Sequence, residues 1–299
     1  MAAQPPSIDP IAAARWKNRR HAPSAWLHEE IATRMADRLQ WIKLQPQALA
    51  HWEPVQGGLN AHALLAQQYP NARQYWLGDN LESLTAAKTS VLGPWWKPSR
   101  WTQQQPLLEK ASVLPVQLLW ANMALHMVTN PQELIQIWHD QLEVDGFLMF
   151  SCLGPDTLAS LRAVYARLGW PPPAHEFTDM HDWGDMLVAA GFAEPVMDME
   201  RITLTYATPE RLLADLRGLG RNLNRQRFNA LRARAWYRKL TETLQQDMAS
   251  AANDGRLALE FEVIYGHALK PAKRLAVQPE IALSLDDMRQ ALRLGKARP

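Results

Sequence analysis

"ALAHWEPVQGGLNAHALLAQQYPNARQYWLGDN", Ala48 to Asn80, is the stretch on which the fold turns. Ala48 to Trp52 has the length and apolar content of a buried strand. Ala61 to Gln68 carries Ala61, Leu64 and Leu65 at helical spacing, and Gln74 to Leu77 is a second strand that ends at an acid, Asp79. This is the order of a nucleotide-binding βαβ unit. Such a unit ordinarily places three glycines in its first turn, for positive φ and for close approach of the backbone to the ligand. Here only Gly57 and Gly58 are present, with Val55 and Leu59 beside them. A β-branched valine held at positive φ costs about 1 to 3 kcal/mol, and a leucine blocks close approach. The turn is therefore expected to take a different course and to grip a cofactor weakly.

Working outward, Trp26 to Leu39 reads as an amphipathic helix, part of a helical lead-in over 1–45. From Leu81 to Lys110 the text is rich in Pro and Trp, and only loops and short helices are assigned there; "GPWWKPSRW" could form an aromatic lid, or simply a packed loop. Val116 to Asn122 is a strand. Asn130 caps a helix that begins with Pro131, and Leu134, Ile137, Trp138 and Leu142 form its buried stripe. "EVDGFLMFS" is a turn and strand. A helix starting at Asp156 or Thr157 ends at Gly169, and another, Met180 to Ala190, stops at Gly191. "RITLTYA" and "LEFEVIYGHAL" are late strands, separated by a helical insertion over about 209–251. Alternating strands and helices predict a mostly parallel sheet covered on both faces over 46–270, with a basic tail over 271–299. Ligands of such sheets bind beyond the carboxyl ends of the strands. That places the candidate site at Glu53 to Leu59, Gly78 to Asn80 and Ala121 to His126.

The chain has 299 residues, 47% of them hydrophobic, and can bury a large core. Its single cysteine, Cys152, rules out an internal disulfide framework and points to a reducing compartment. The start lacks an apolar signal segment and no run of about 18 apolar residues follows, so a cytoplasmic protein without membrane contact is expected. His126, His181 and His267 are not at metal-ligand spacing, and no metal is expected. Net charge is +2. Yet Arg217, Arg221, Arg225, Arg227, Arg232, Arg234, Arg238 and Lys239 follow one another between Leu216 and Leu240 without an acid. This local patch is either a solvated helix face or a dock for an acidic partner. Nucleic acid is not expected, because the total is near neutral and no reading motif is present.

The phrases "FLMFSCLGPDTLASLR", "FTDMHDWGDMLVAAGFAEPVMDMERITLTY", "LLADLRGLGRN" and "FEVIYGHAL" resemble the carboxyl half of the malonyl-acyl-carrier-protein O-methyltransferases of biotin synthesis. The resemblance covers roughly 118–270 and is weaker upstream. It implies a Rossmann-like seven-stranded methyltransferase sheet with helices on both faces and a helical insertion before the last strand. It also implies S-adenosylmethionine as cofactor. Laid over that family's glycine motif, Glu53 falls at the acid, Val55 at the first glycine, Gly57 at the middle one and Leu59 at the third. Asp79 falls at the acid that holds the ribose hydroxyls, and Asn122 in the fourth-strand stretch; with Gly58 these make up the implied cofactor set. A mitochondrial assembly factor of respiratory complex I, an arginine hydroxylase, shares the "GPDTL" type of phrase.

The implied reaction asks little of the protein. A carboxylate is already ionised near neutrality, so displacement on a sulfonium requires positioning and desolvation rather than a general base. A cationic orienter is needed for the malonyl carboxylate, and Arg162 and Arg217 are candidates. Arg221, Arg225 and Arg227 are expected to dock an acidic acyl-carrier protein, apart from the cofactor pocket. The alternative is a non-catalytic relative that binds an acidic partner through the same arginines.

Overall fold

The computed structural model describes residues 8–17, 25–92, 105–109, 115–228, 232–249 and 253–272. The "GPWWKPSRW" segment, and with it the suggested aromatic lid, lies outside them, as does nearly all of the basic tail.

Seven strands form one sheet: β1 (Ala48–Trp52), β2 (Arg73–Leu77), β3 (Leu107–Glu109), β4 (Val116–Ala121), β5 (Leu142–Leu153), β6 (Ala193–Tyr206) and β7 (Leu257–Leu269). Their order is β3-β2-β1-β4-β5-β7-β6. All neighbouring pairs are parallel except those made by β7, which runs antiparallel to both β5 and β6. The carboxyl end of β6 therefore lies at the same edge as those of β1, β4 and β5. The chain that leaves it returns to β7 at that edge.

The helices are α1 (Pro10–Lys17), α2 (Trp26–Arg38), the single turn α3 (Pro54–Gly57), α4 (Ala61–Gln68), α5 (Leu81–Leu92), α6 (Pro131–Gln141), α7 (Ala159–Arg167), α8 (Met180–Ala189), α9 (Pro209–Leu219) and α10 (Arg234–Met248). On one face of the sheet, Leu118, Trp120, Phe147 and Tyr265 pack against α2, α4, α7 and α10. On the other, Leu119, Phe150, Cys152 and Ile264 pack against α6 and α8 through Ile135, Trp138, Trp183 and Leu187. This is the two-sided burial that near-continuous apolar strands demand.

The βαβ segment folds as its sequence predicts, with β1 and α4 at the expected limits. Asn130 caps α6, its side chain accepting from the Glu133 amide at 3.2 Å. Within α6, Ile135 is fully buried, whereas Ile137, expected in the buried stripe, is only partly so. Three other expectations are corrected. Leu81 to Leu92 is a regular helix, started by Asn80, whose side chain accepts from the Ser83 amide at 3.0 Å. The helix after β5 begins at Ala159 rather than at Asp156 or Thr157, because Leu158 adopts positive φ and the preceding residues form a turn. β6 begins eight residues before "RITLTYA", as an exposed edge strand whose apolar content is too low to mark it. No helix among the described residues is long and apolar enough to cross a membrane.

Candidate active site

Glu53 ends β1 in the left-handed region (φ 43°), its amide donating to the Leu77 carbonyl at 2.7 Å. The chain then closes one helical turn, α3, in which the Gln56 and Gly57 amides return to the Glu53 carbonyl at 3.0 and 2.9 Å. Val55 lies inside that turn and is spared positive φ, which Glu53 and Gly58 (φ 119°) take instead. Val55 and Leu59 pack onto Trp76 and Leu84, a small apolar cluster between β2 and α5.

Gly57 is fixed by close approach, since a Cβ there would lie 2.6 Å from the carbonyl oxygen of Asn122. Asn122, buried at the end of β4, donates its side-chain amide to the carbonyls of His28 (2.8 Å) and Gly57, and accepts from the Ser151 hydroxyl at 2.6 Å. Asn122 thereby ties the turn, α2 and β5 together. Gly58 sits behind the turn, against Glu29 and His28, and does not line the cavity described below.

Glu29, on α2, holds the turn and was not singled out by the sequence. Its carboxylate accepts from the amides of Leu59 and Asn60 at 2.9 and 3.0 Å, at the start of α4 where backbone donors would otherwise meet an anion. Nothing distinguishes Glu29 from its neighbour Glu30 in the sequence; only the docking of α2 does.

The two acids lie side by side. Glu53 accepts from the Asp79 amide at 3.3 Å, and Gly78 leaves room for its carboxyl group. Burial raises the Glu53 pKa above the usual carboxylate range; the Asp79 amide and Lys17 oppose this, and the Asp79 charge adds to it. Asp79 pairs with Lys17 of α1.

A cavity of about 350 Å³ opens at these strand ends. Glu53, Gln56, Gly57 and Asn122 form its base, Trp52, Met127, Val128, Leu134 and Ile137 its apolar wall, and Ala13, Ala14, Trp16 and Lys17 of α1 its cover. Such a volume is within the range of small-molecule sites. Glu53, Gly57 and Asn122 of the expected cofactor set line it, and Asp79 lies at its margin through Lys17.

The cover is held by the arginine-rich segment. Ile8 bridges to Asn224, the Asp9 amide donates to the Leu223 carbonyl at 2.9 Å, and Arg227 pairs with Asp9 at 2.6 Å, which lowers the Asp9 pKa. Arg221 lies 5.6 Å from the Trp16 ring centroid. The expected separation of patch and pocket is therefore corrected. Arg221 and Arg227 fasten the helix that covers the cavity, while Arg225 is exposed. Neither candidate orienter lines this cavity: Arg162 donates to the Pro155 carbonyl, and Arg217 lines a second hollow.

No family model matches the chain. It is 37% identical to the malonyl-[acyl-carrier protein] O-methyltransferase of Gallionella capsiferriformans over 260 residues, covering 84% of this chain and 87% of that protein. It is 36% identical to the protein of the same name from Laribacter hongkongensis, over 84% and 85%. Among solved structures it is similar in fold to a Bacillus halodurans protein described as a methyltransferase (TM-score 0.53, 17% identity, 80% of this chain and 100% of that one). The YcgJ protein of Bacillus subtilis is similar too (TM-score 0.52, 11% identity, 80% and 98%). With its seven-stranded Rossmann-like sheet, the chain belongs to the malonyl-[acyl-carrier protein] O-methyltransferase family.

Proposed function

We propose that the protein is an S-adenosylmethionine-dependent methyltransferase that esterifies the free carboxylate of a malonyl thioester carried on an acyl-carrier protein, in biotin synthesis. The observation that carries this reading is the cavity at the carboxyl ends of β1 and β4, with Glu53 at its base and α1 beside it. Its walls suit the cofactor. The apolar surface of Trp52, Val128 and Ile137 offers a slot for a flat heterocycle, and Glu53 and Asp79 can accept hydroxyl or ammonium donors. When bound, the cofactor supplies an electrophilic methyl group. The protein positions the acceptor, and α1 supplies one side of the cavity.

One observation favours the non-catalytic reading, namely that the Leu59 and Asn60 amides are already engaged by Glu29. Transfer of labelled methyl from S-adenosylmethionine to a purified malonyl carrier decides between the two. Methyl ester formation is expected. Arg225→Glu should slow association with the carrier, with the effect fading above about 0.15 M salt, where charges are screened within roughly 8 Å. Binding of the carrier without any ester formed, with cofactor shown to be bound, would leave only the non-catalytic reading.

A further inference from the structure

A second hollow, of about 370 Å³, opens between α7, α9 and α10. Its floor is apolar and aromatic, from Leu161, Tyr165, Leu216, Trp236 and Leu240, and its rim carries Arg217, Arg221 and Arg232. Among the described residues no acidic one lines it. The floor is built as a unit. Trp236 stacks on Trp170 with centroids 5.0 Å apart, and Tyr165 packs edge-on against Trp170 at 5.5 Å. Arg232 lies 4.3 Å from the Trp236 ring centroid and 4.8 Å from that of Phe228, so its guanidinium is held over the opening by flat surfaces. Among the described residues, no carboxylate forms an ion pair with Arg217 or Arg232.

The hollow adjoins the cofactor cavity. Arg221 of its rim lies over Trp16 of the cavity cover, and Gly220 of its wall faces Met127 of the cavity wall, where a Cβ would stand 3.5 Å from the methionine methyl. α9 and α10 lie in the connection that leaves β6 and returns to β7 at the carboxyl edge of the sheet.

We infer that this hollow holds the phosphopantetheine arm of the acceptor thioester, with its phosphate on Arg217 and Arg232 and its aliphatic amide chain along Tyr165 and Trp236. The inference rests on the proposed reaction, and it gives that reaction a substrate path. A malonyl group extends only two carbons beyond its thioester, so the arm must lie beside the methyl-transfer cavity while the carboxylate enters it. A partly aliphatic amide chain that ends in an anionic phosphate, a phosphodiester on the carrier, matches an apolar floor with a cationic rim. Arg217 thus acts at the phosphate rather than at the malonyl carboxylate.

Binding of 4′-phosphopantetheine and of phosphate-free pantetheine to the full-length protein, measured by calorimetry or ligand-observed NMR, tests this without any turnover. The phosphorylated arm should bind about tenfold more tightly, close to the worth of one charge-assisted hydrogen bond. Arg217→Gln and Arg232→Gln should each reduce that preference, with Arg232→Lys partly restoring it and circular dichroism confirming the fold. Equal binding of the two arms by the unaltered protein, or a preference untouched in both glutamine variants, overturns the inference. Methyl transfer is read separately. A bound phosphorylated arm with no malonyl thioester methylated refutes the reaction alone, whereas equal KM for malonyl-N-acetylcysteamine and malonyl-phosphopantetheine refutes the arm site alone. Malonyl-coenzyme A and the malonyl carrier share the phosphopantetheine. Arginine variants that raise KM for both support recognition of the arm, and an effect confined to the carrier shows that the arginines read the protein surface instead.

Discussion

Restoring the two motif glycines, Val55→Gly and Leu59→Gly, should damage this protein rather than improve it. By the sequence alone the double variant would recover a flexible, closely approaching cofactor turn. In the structure both side chains are partly buried against Trp76, Leu84 and Leu108, and Val55 sits within a helical turn. Fully burying a side chain of this size contributes about 1.5 to 3 kcal/mol, so half-burial makes each worth roughly 1 kcal/mol. Glycine inside the α3 turn costs about 1 kcal/mol more, and a residual cavity beside Trp76 adds to this. Because the two residues share neighbours their effects are not additive, and a total loss of about 3 kcal/mol is expected. Urea unfolding of the double variant should show it as a lower midpoint with an unchanged slope. Calorimetric titration with S-adenosylmethionine should show no tightening, since the turn's course is also set by the Glu29 carboxylate and by Asn122, which the substitutions leave in place. A double variant that unfolds at the same urea concentration and binds the cofactor about tenfold more tightly would refute this account, and would mean that the turn is an impaired loop rather than a repacked one.

Two further outcomes follow from buried ionisable groups. Glu53→Gln should raise the unfolding temperature at pH 7: the folded carboxyl has a pKa above its ordinary 4.5, so its ionisation opposes folding as pH rises through the shifted value, and the gain should vanish toward pH 4. The same substitution should weaken cofactor binding if Glu53 accepts from the ligand, and unchanged affinity would count against that role. His51, buried in β1 with no hydrogen-bond partner among the described residues, has its pKa pushed down to about 3, chiefly by burial. The unfolded chain then binds a proton that the folded chain refuses, so stability falls as pH drops from about 6.5, by about 2 kcal/mol at pH 5. His51→Leu should flatten that slope between pH 7 and 5, and an identical slope in the variant would refute the assignment.

Several features of the fold and site were legible in the residues because their causes are local. β1, α4 and β2 follow from apolar spacing over a few residues, and the start of α6 from Asn130 and Pro131. The position of the candidate cavity follows from topology, since a parallel sheet exposes its carboxyl ends, and Glu53, Gly57 and Asn122 line it. The absence of two glycines raised the question of the turn's course, and the structure shows Val55 inside a helical turn, with positive φ at Glu53 and Gly58. What fills it instead depends on contacts between segments far apart in the chain, and only the tertiary structure decided it. Glu29 reaches Leu59 from 30 residues away, and Lys17 reaches Asp79 from α1. Arg227 reaches Asp9 from more than two hundred residues away, which turned two arginines of an apparent surface patch into the fastening of a cover. A charge or a carboxylate carries no mark of its partner in the sequence, because an ion pair is specified by where two backbones are brought together, and that is settled by the burial of the apolar faces of α2 and the sheet.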